Sequence, residues 1–474
     1  MTFPGWLLVG AATALAVFTA AHVLLYKRDP RAAFGWVAVC FTFPVAGPLL
    51  YCLFGINRIH TRARRLGLLR LHLGYERSEL HAAARLDPSF APEFASFAAI
   101  ADAVARRPLV AGNRAEPLAN GEEAFPAMLE AIAAAERTIY LATYLFQLDA
   151  VGRRFVAALG AAVERGVTVV AILDGVGELY GLPHRAGKAL AARGVRVARF
   201  LPPTLVPPSL FMNLRNHRKL LVVDGVVGFT GGMNIAARHM VTGGAEGATA
   251  DLHFRLRGPV VGQLEHVFAE DWQFCTGEML VPGSTLPRSL PGRTWCRAVV
   301  DGPNEDLDKL TMILLGVFGN ARHRIVLVTP YFVPGRELIS ALQTAALRGV
   351  QVDVVIPRHS NLPFVDWATR NMLWELVARG VRVHLQDPPF DHTKLYVVDD
   401  FYALIGSANL DARSLRLNFE LMIELYDRGA VAELEVQVTE RLTRSAPITL
   451  RELDARPLPV RIRDAVAWLF SPYL

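Results

Sequence analysis

"ARGVRV" stands at Ala192–Val197 and again at Ala378–Val383. In both places an apolar helical pattern stops at the glycine and β-branched residues begin a new apolar run. Glycine supplies the left-handed C-cap that ends a helix, and valine favours the strand that follows. The hexapeptide therefore reads as a helix stop and a strand start, written twice.

The same grammar recurs outward from it in the same order. "RGVTV" at Arg165–Val169 is answered by "RGVQV" at Arg348–Val352. In the first part of the chain, helical spacing precedes the apolar runs Thr138–Phe146, Val167–Leu173 and Val195–Phe200. In the second part, helical spacing precedes the run that ends in "TPYF" at Thr329–Phe332, then Val350–Ile356 and Val381–Gln386. Such alternation predicts an α/β fold with a mostly parallel sheet and helices on both faces. Matched order within one chain predicts an internal duplication.

A second match follows each hexapeptide. "NHRKLLVVDGVVGFTGGMN" (Asn216–Asn234) and "DHTKLYVVDDFYALIGSANLD" (Asp391–Asp411) share the pattern H-x-K-x4-D-x6-G-[GS]-x-N. It holds His217, Lys219, Asp224, Gly232 and Asn234 in one copy, and His392, Lys394, Asp399, Ser407 and Asn409 in the other. The chain has 45 Arg and only five Lys, and two of those five occupy the same slot. Residues two apart on a strand share a face, so each His projects with its Lys. A lysine at a buried strand edge needs an anion or a carboxylate to satisfy it.

This set suits phosphodiester chemistry. One neutral imidazole can attack phosphorus, forming a phosphohistidine, while a second, protonated one gives its proton to the leaving oxygen. The lysines and asparagine amides can hold the non-bridging oxygens, with Gly232 and Ser407 beside them. Each imidazole needs an orienting acceptor; Asp251 in "DLHF", 34 residues after His217 in the first half, and Glu420 in "FELMI", 28 after His392 in the second, are the candidates. Asp224 and Asp399 complete the motif and are counted with its catalytic set. Seven residues past the His, however, they belong at the far strand end, where a turn-capping role fits. The scheme calls for no metal or other cofactor, and no metal-ligand spacing is visible.

The ends of the chain speak of membrane. Residues 1–26 carry no Asp, Glu, Lys or Arg. The run Trp6–Tyr26 is long enough to cross a bilayer of roughly 30 Å. "KRDPR" (Lys27–Arg31) separates it from a second uncharged run, Ala32–Ile56, which Arg-rich "NRIHTRARR" follows. Two membrane helices are expected, with the main domain in the cytosol by a small excess of positive charge. Pro44 and Pro48 leave a re-entrant hairpin as the alternative. A formal net charge of +6 favours anionic partners, either acidic lipid or nucleic acid. The C-terminal "RIRDAVAWLFSPYL" (Arg461–Leu474) reads as an interfacial helix or as a helix packed on the domain.

Taken together, the paired motifs, "TPYFVPGRELISAL", "GSANLDARSLRLNFE" and the N-terminal apolar pair resemble bacterial cardiolipin synthases of the phospholipase D superfamily. The resemblance implies two tandem phospholipase D-like α/β domains with pseudo-two-fold symmetry behind a pair of transmembrane helices. The expected divisions are an anchor at 1–65, a helical linker at 66–115, and halves at 116–290 and 291–474. It also implies transfer of a phosphatidyl group between two phosphatidylglycerol molecules, with His217 as nucleophile and His392 as general acid. It places the chain in the bacterial inner membrane, with lipid and no nucleic acid as partner. Thr393 stands where family members often have a small residue. A hydrolytic phospholipase D, a nuclease of the superfamily and an inactive membrane scaffold are the alternatives. The insert "FLPPTLVPPSLFMNL" (Phe200–Leu214) reads either as a lipid-facing lid or as a packed loop.

Overall fold

The computed structural model describes residues 3–27, 30–55, 90–105, 107–181, 185–205, 208–209, 214–242, 247–283, 290–302 and 308–474. The chain divides into two units, one of residues 1–70 with 203–210, the other of 71–202 with 211–474. Residues 206–207 and 210–213 of the Phe200–Leu214 insert, and the whole of the Arg-rich Asn57–Arg65, lie outside the described residues.

In the small unit, α1 (Phe3–Tyr26) runs unbroken, and α2 (Pro30–Thr42) packs against it. Val23, Ala33, Cys40 and Tyr51 form a small core between them. His22 Nδ1 meets the Tyr51 hydroxyl at 3.0 Å. Among the described residues only Gly5–Tyr26 is a helix long and apolar enough to cross a membrane. The second expected span is broken: α2 stops at Thr42, a short helix covers Ala46–Leu50, and a π-turn covers Tyr51–Gly55. The cause is Pro44 and Pro48, which lack the N–H that a continuous helix needs.

The large unit is built on one 15-stranded sheet. Its strands are β1 (Val110–Ala119), β2 (Thr138–Thr143), β3 (Thr168–Asp174), β4 (Arg196–Phe200), β5 (Leu220–Val223), β6 (Val227–Gly231), β7 (Leu252–Arg257), β8 (Thr294–Asp301), β9 (Arg324–Val328), β10 (Gln351–Pro357), β11 (Arg382–Gln386), β12 (Leu395–Val398), β13 (Tyr402–Gly406), β14 (Glu420–Tyr426) and β15 (Ser445–Pro447). From the centre outward the first half runs β1-β7-β6-β5-β2-β3-β4. The second runs β8-β14-β13-β12-β9-β10-β11, with β15 added at its edge. The two orders correspond strand for strand, so the duplication is a property of the fold. The halves join through the antiparallel pair β1–β8.

The sheet is mixed rather than mostly parallel. Only β2–β3–β4 and β9–β10–β11 run parallel. The helix–strand alternation covers those strands alone, whereas β5–β6 and β12–β13 are joined by tight turns, which force antiparallel pairing. The hexapeptides behave as expected: Gly194 and Gly380 carry φ of +81° and +89° and end their helices.

The stretch expected as a helical linker divides into two parts. Phe94–Val104 is a helix, but the end of the stretch, from Val110, already belongs to β1 (Val110–Ala119). The spacing of Phe90, Phe94, Phe97 and Ala101 gives that segment one apolar face. The face is buried against Trp295, Phe401 and Tyr426 in the core of the second half. Residues 66–89 lie outside the described residues. The helices that matter for the site are α3 (Val260–Thr276), α4 (Pro363–Val377), α5 (Arg428–Thr443) and α6 (Leu458–Trp468).

Candidate active site

The two motif histidines lie just ahead of β5 and β12, and backbone pairing carries each of them to the opposite half. Asn216 bridges Phe419 in parallel, and His217 N–H donates to the Phe419 carbonyl at 2.9 Å. Likewise Phe390 and Asp391 pair with Thr249 and Ala250, and His392 N–H donates to the Ala250 carbonyl at 2.7 Å. Parallel register then sets the next residues side by side. His217 meets Glu420, with Nδ1 3.0–3.1 Å from both carboxylate oxygens. His392 meets Asp251, Nδ1 to Oδ2 at 2.9 Å. Each imidazole is thus oriented through Nδ1 by a carboxylate from the other half.

The lysines are held the same way in both halves. Lys219 Nζ donates to the His217 carbonyl at 2.6 Å, and Lys394 Nζ donates to the His392 carbonyl. Both are almost wholly buried, and burial lowers their pKa values to about 7 and about 8. Burial also holds His217 below the usual imidazole range, opposed by Glu420, and drives His392 further down, with Lys394 and Lys219 adding to the effect. The carboxylates differ. Glu420 lies below the ordinary carboxylate range, because His217, Lys219 and the Ser407 hydroxyl outweigh its burial. Asp251 is raised, because burial outweighs Lys394 and His239.

Ser407 and Gly232 occupy equivalent slots with unequal neighbours. Ser407 Oγ donates to Glu420 at 2.5 Å and accepts from Leu421 N–H at 3.0 Å. At Gly232 a Cβ would lie 2.3 Å from Asp251 Oδ1, so the shorter aspartate demands glycine opposite it. Asn234 Oδ1 accepts from Leu145 N–H at 3.0 Å, while Asn409 Oδ1 is buried with no hydrogen-bond partner among the described residues.

Asp224 and Asp399 leave the catalytic set. Asp224 accepts the backbone N–H groups of Glu136, Arg137 and Thr138. Asp399 does the same for Arg322, His323 and Arg324. Both have left-handed φ, +54° and +53°, and clamp the far strand ends. The motif aspartate is therefore a fold residue, seven positions of chain away from the imidazole.

Several neighbours escaped the sequence reading. Tyr144 and Tyr331 set their rings edge-on to His217 and His392, at 5.5 and 6.1 Å. Burial raises both phenols, Tyr331 to about 12, so they stay O–H donors. Arg238 and Arg413 each lie four residues after a motif asparagine. The Arg238 charge acts on Lys219 and His392, and that of Arg413 on Tyr144 and Tyr331. That spacing is equal in both repeats and was legible, as was the tyrosine in "TYLF" and "TPYF".

A buried ion pair braces each histidine segment, with its polarity reversed between halves. In the first, Arg218 of the motif pairs with Asp271 of α3, which also accepts from Asn216 Nδ2 at 3.1 Å. In the second, Asp391 of the motif pairs with Arg441 of α5 at 2.8 Å, and Arg441 Nη2 donates to Thr393 Oγ1 at 3.0 Å. This gives Thr393 a role at a slot where the resemblance leads one to expect a small residue.

A model described as cardiolipin synthase, PLD-like domain, matches residues 128–272 and 314–442, more than half the chain. The chain belongs to this family of phospholipase D-like cardiolipin synthases. Residues 14–55 match a phospholipase D–nuclease N-terminal model. Similar relatives include the major cardiolipin synthase ClsA of Bacillus subtilis strain 168, 32% identical, with 96% of each chain covered. Cardiolipin synthase A of Pseudomonas aeruginosa strain UCBPP-PA14 is 33% identical, over 100% of this chain and 96% of that one. Among solved structures, the phosphatidylserine synthase of Haemophilus influenzae Rd KW20 shares the fold, with a TM-score of 0.64 at 16% identity over 80% of this chain and 100% of that one.

Proposed function

We propose that this member of the cardiolipin synthase family joins two phosphatidylglycerol molecules into cardiolipin and releases glycerol. The observation that carries the reading is the crossed pairing of His217 with Glu420 and His392 with Asp251. Glu420 fixes the Nδ1–H tautomer of His217, so the Nε2 lone pair is free to attack phosphorus. A P–N bond forms, the bond from phosphorus to the headgroup glycerol oxygen breaks, and His392 gives that oxygen its proton. The arriving phosphodiester anion favours the charged imidazole of His392. The now neutral His392 takes the proton of the second phosphatidylglycerol's headgroup hydroxyl. That oxygen attacks phosphorus, the P–N bond breaks, and His217 is restored.

Lys219, Lys394, Arg238 and Arg413 supply positive charge to the phosphoryl oxygens through both steps. Asn234 and Asn409 offer amide groups to the same oxygens. Residues 1–65 serve as the anchor in the bacterial inner membrane, with α1 spanning and the broken second segment crossing or re-entering beside it. The duplicated halves, 116–290 and 291–474, then lie on the cytosolic side.

The test supplies the purified full chain with phosphatidylglycerol and identifies the products. Cardiolipin with glycerol is expected. Phosphatidic acid with glycerol would replace the reading by hydrolysis, with water as acceptor.

A further inference from the structure

Helix α6 shows two unlike faces. Asp464 and Ala467 are buried toward α4, where Ala467 packs with Val333 and Ala368. The other face is apolar and uncovered: Leu458, Ile462, Val466, Leu469 and Phe470 are 49–68% exposed. Their spacing of three to four residues makes one stripe along the helix. Phe470 continues it onto the start of α4, its ring 5.5 Å from that of Phe364, which is itself exposed beside Leu362.

Charge accompanies the stripe. Arg370, Arg456, Arg461 and Arg463 gather around α6, and Arg463 lies 4.5 Å above the Trp367 ring. Nearby, Asp366 pairs with Arg370, and Asp464 pairs with Arg456 and Arg463. Four guanidiniums against two carboxylates leave this edge positive.

The patch also adjoins the candidate active site. Asn361, next to Leu362, accepts the Tyr331 hydroxyl at 2.8 Å, and the Tyr331 ring stands beside His392. At the other end, Arg413 N–H donates to the Leu474 carbonyl at 2.9 Å.

We infer that α6 and the start of α4 are an interfacial foot, which lies in the headgroup–acyl boundary of an anionic bilayer and brings the mouth beside His392 onto the lipid surface. An apolar stripe flanked by arginines fits that boundary: the side chains enter the acyl edge while the guanidiniums meet lipid phosphates. A lipid then passes into the pocket without leaving the apolar surface.

The inference rests on the proposed transfer reaction, so its test separates the two. Full-length protein and the variant Ile462→Glu/Val466→Glu are assayed on phosphatidylglycerol vesicles and on short-chain phosphatidylglycerol dissolved as monomers. The expected result is a vesicle rate at least tenfold lower in the variant, with the monomer rate within twofold. No loss on vesicles, or equal loss on both substrates, overturns the foot. So does a changed oligomeric state in detergent with an unchanged vesicle-to-monomer ratio, which assigns the face to a second copy of the chain. Activity-independent contact is read from a spin label at Ile462→Cys, in a chain whose four cysteines are replaced by alanine and which is reconstituted in vesicles. Greater access for oxygen than for a water-soluble nickel chelate is expected, and the reverse overturns the foot even where the transfer reading itself fails.

Discussion

The two halves share strand order, motif spacing, the aspartate clamps and the hook of each lysine onto its histidine carbonyl, yet they differ in the ion pair behind each histidine segment and in the group opposite each carboxylate. The first half puts arginine on the motif and aspartate on the helix behind it; the second puts aspartate on the motif and arginine on the helix. The first half provides the shorter acid, Asp251, with glycine opposite; the second provides Glu420 with a serine donor. The difference teaches that the fold needs a neutralised, ordered segment under each histidine and is indifferent to which side supplies which charge. It also teaches that the histidines are not equivalent. The donors around Glu420 hold it below the ordinary carboxylate range, whereas burial raises Asp251, so the two imidazoles face unlike acceptors.

The largest test of this asymmetry is at the histidines. His217→Ala should lower transfer by about 10⁴-fold or more, and His392→Ala by about 10²–10⁴-fold. On a phosphodiester with an activated phenolate leaving group, release needs no proton. There the single-turnover release of phenolate by His392→Ala should come within about tenfold of the unsubstituted enzyme, while His217→Ala stays inactive. Equal recovery of both would break the assignment.

The reversed ion pairs come next. Asp271→Arg alone places two buried cations together and should cost about 3–5 kcal/mol of stability. Adding Asn216→Asp and Arg218→Thr rebuilds the polarity of the second half and should return at least half of the lost thermal shift. Failure to recover would mean that the two braces are not interchangeable.

Smaller effects are expected opposite the carboxylates. Gly232→Ser must displace Asp251, and a misplacement near 1 Å costs about 10²-fold in rate. Ser407→Gly removes the hydrogen bonds to Glu420 and from Leu421 N–H but displaces no carboxylate, and should cost about tenfold or less. Steady-state rates of the two variants, each checked for folding, decide between them.

Last is pH. The lysines carry charge below their lowered pKa values, so phosphoryl binding is intact near pH 6 and is lost as pH rises through about 7 to 8. Above pH 8 the charged fraction falls tenfold per unit, and apparent KM should rise with it. Lys394→Arg should flatten part of that rise, because guanidinium keeps its charge.

The sequence alone determined the duplication, the two motifs and the candidate residues of the site. Those rest on local chemistry: a glycine that stops a helix, residues two apart on a strand, a repeated spacing. It also placed Asp224 and Asp399 at the far strand ends, because seven extended residues outrun an imidazole's reach. What it could not determine lay across the chain. That Glu420 serves His217 and Asp251 serves His392 follows from two short parallel pairings between the halves. That Arg441 answers Asp391 follows from where α5 lands. The start of β1 fell within the expected helical linker because its partners β7 and β8 are more than 130 residues away. Such contacts leave no local pattern, since the free energy that fixes them comes from groups that meet only when the sheet closes.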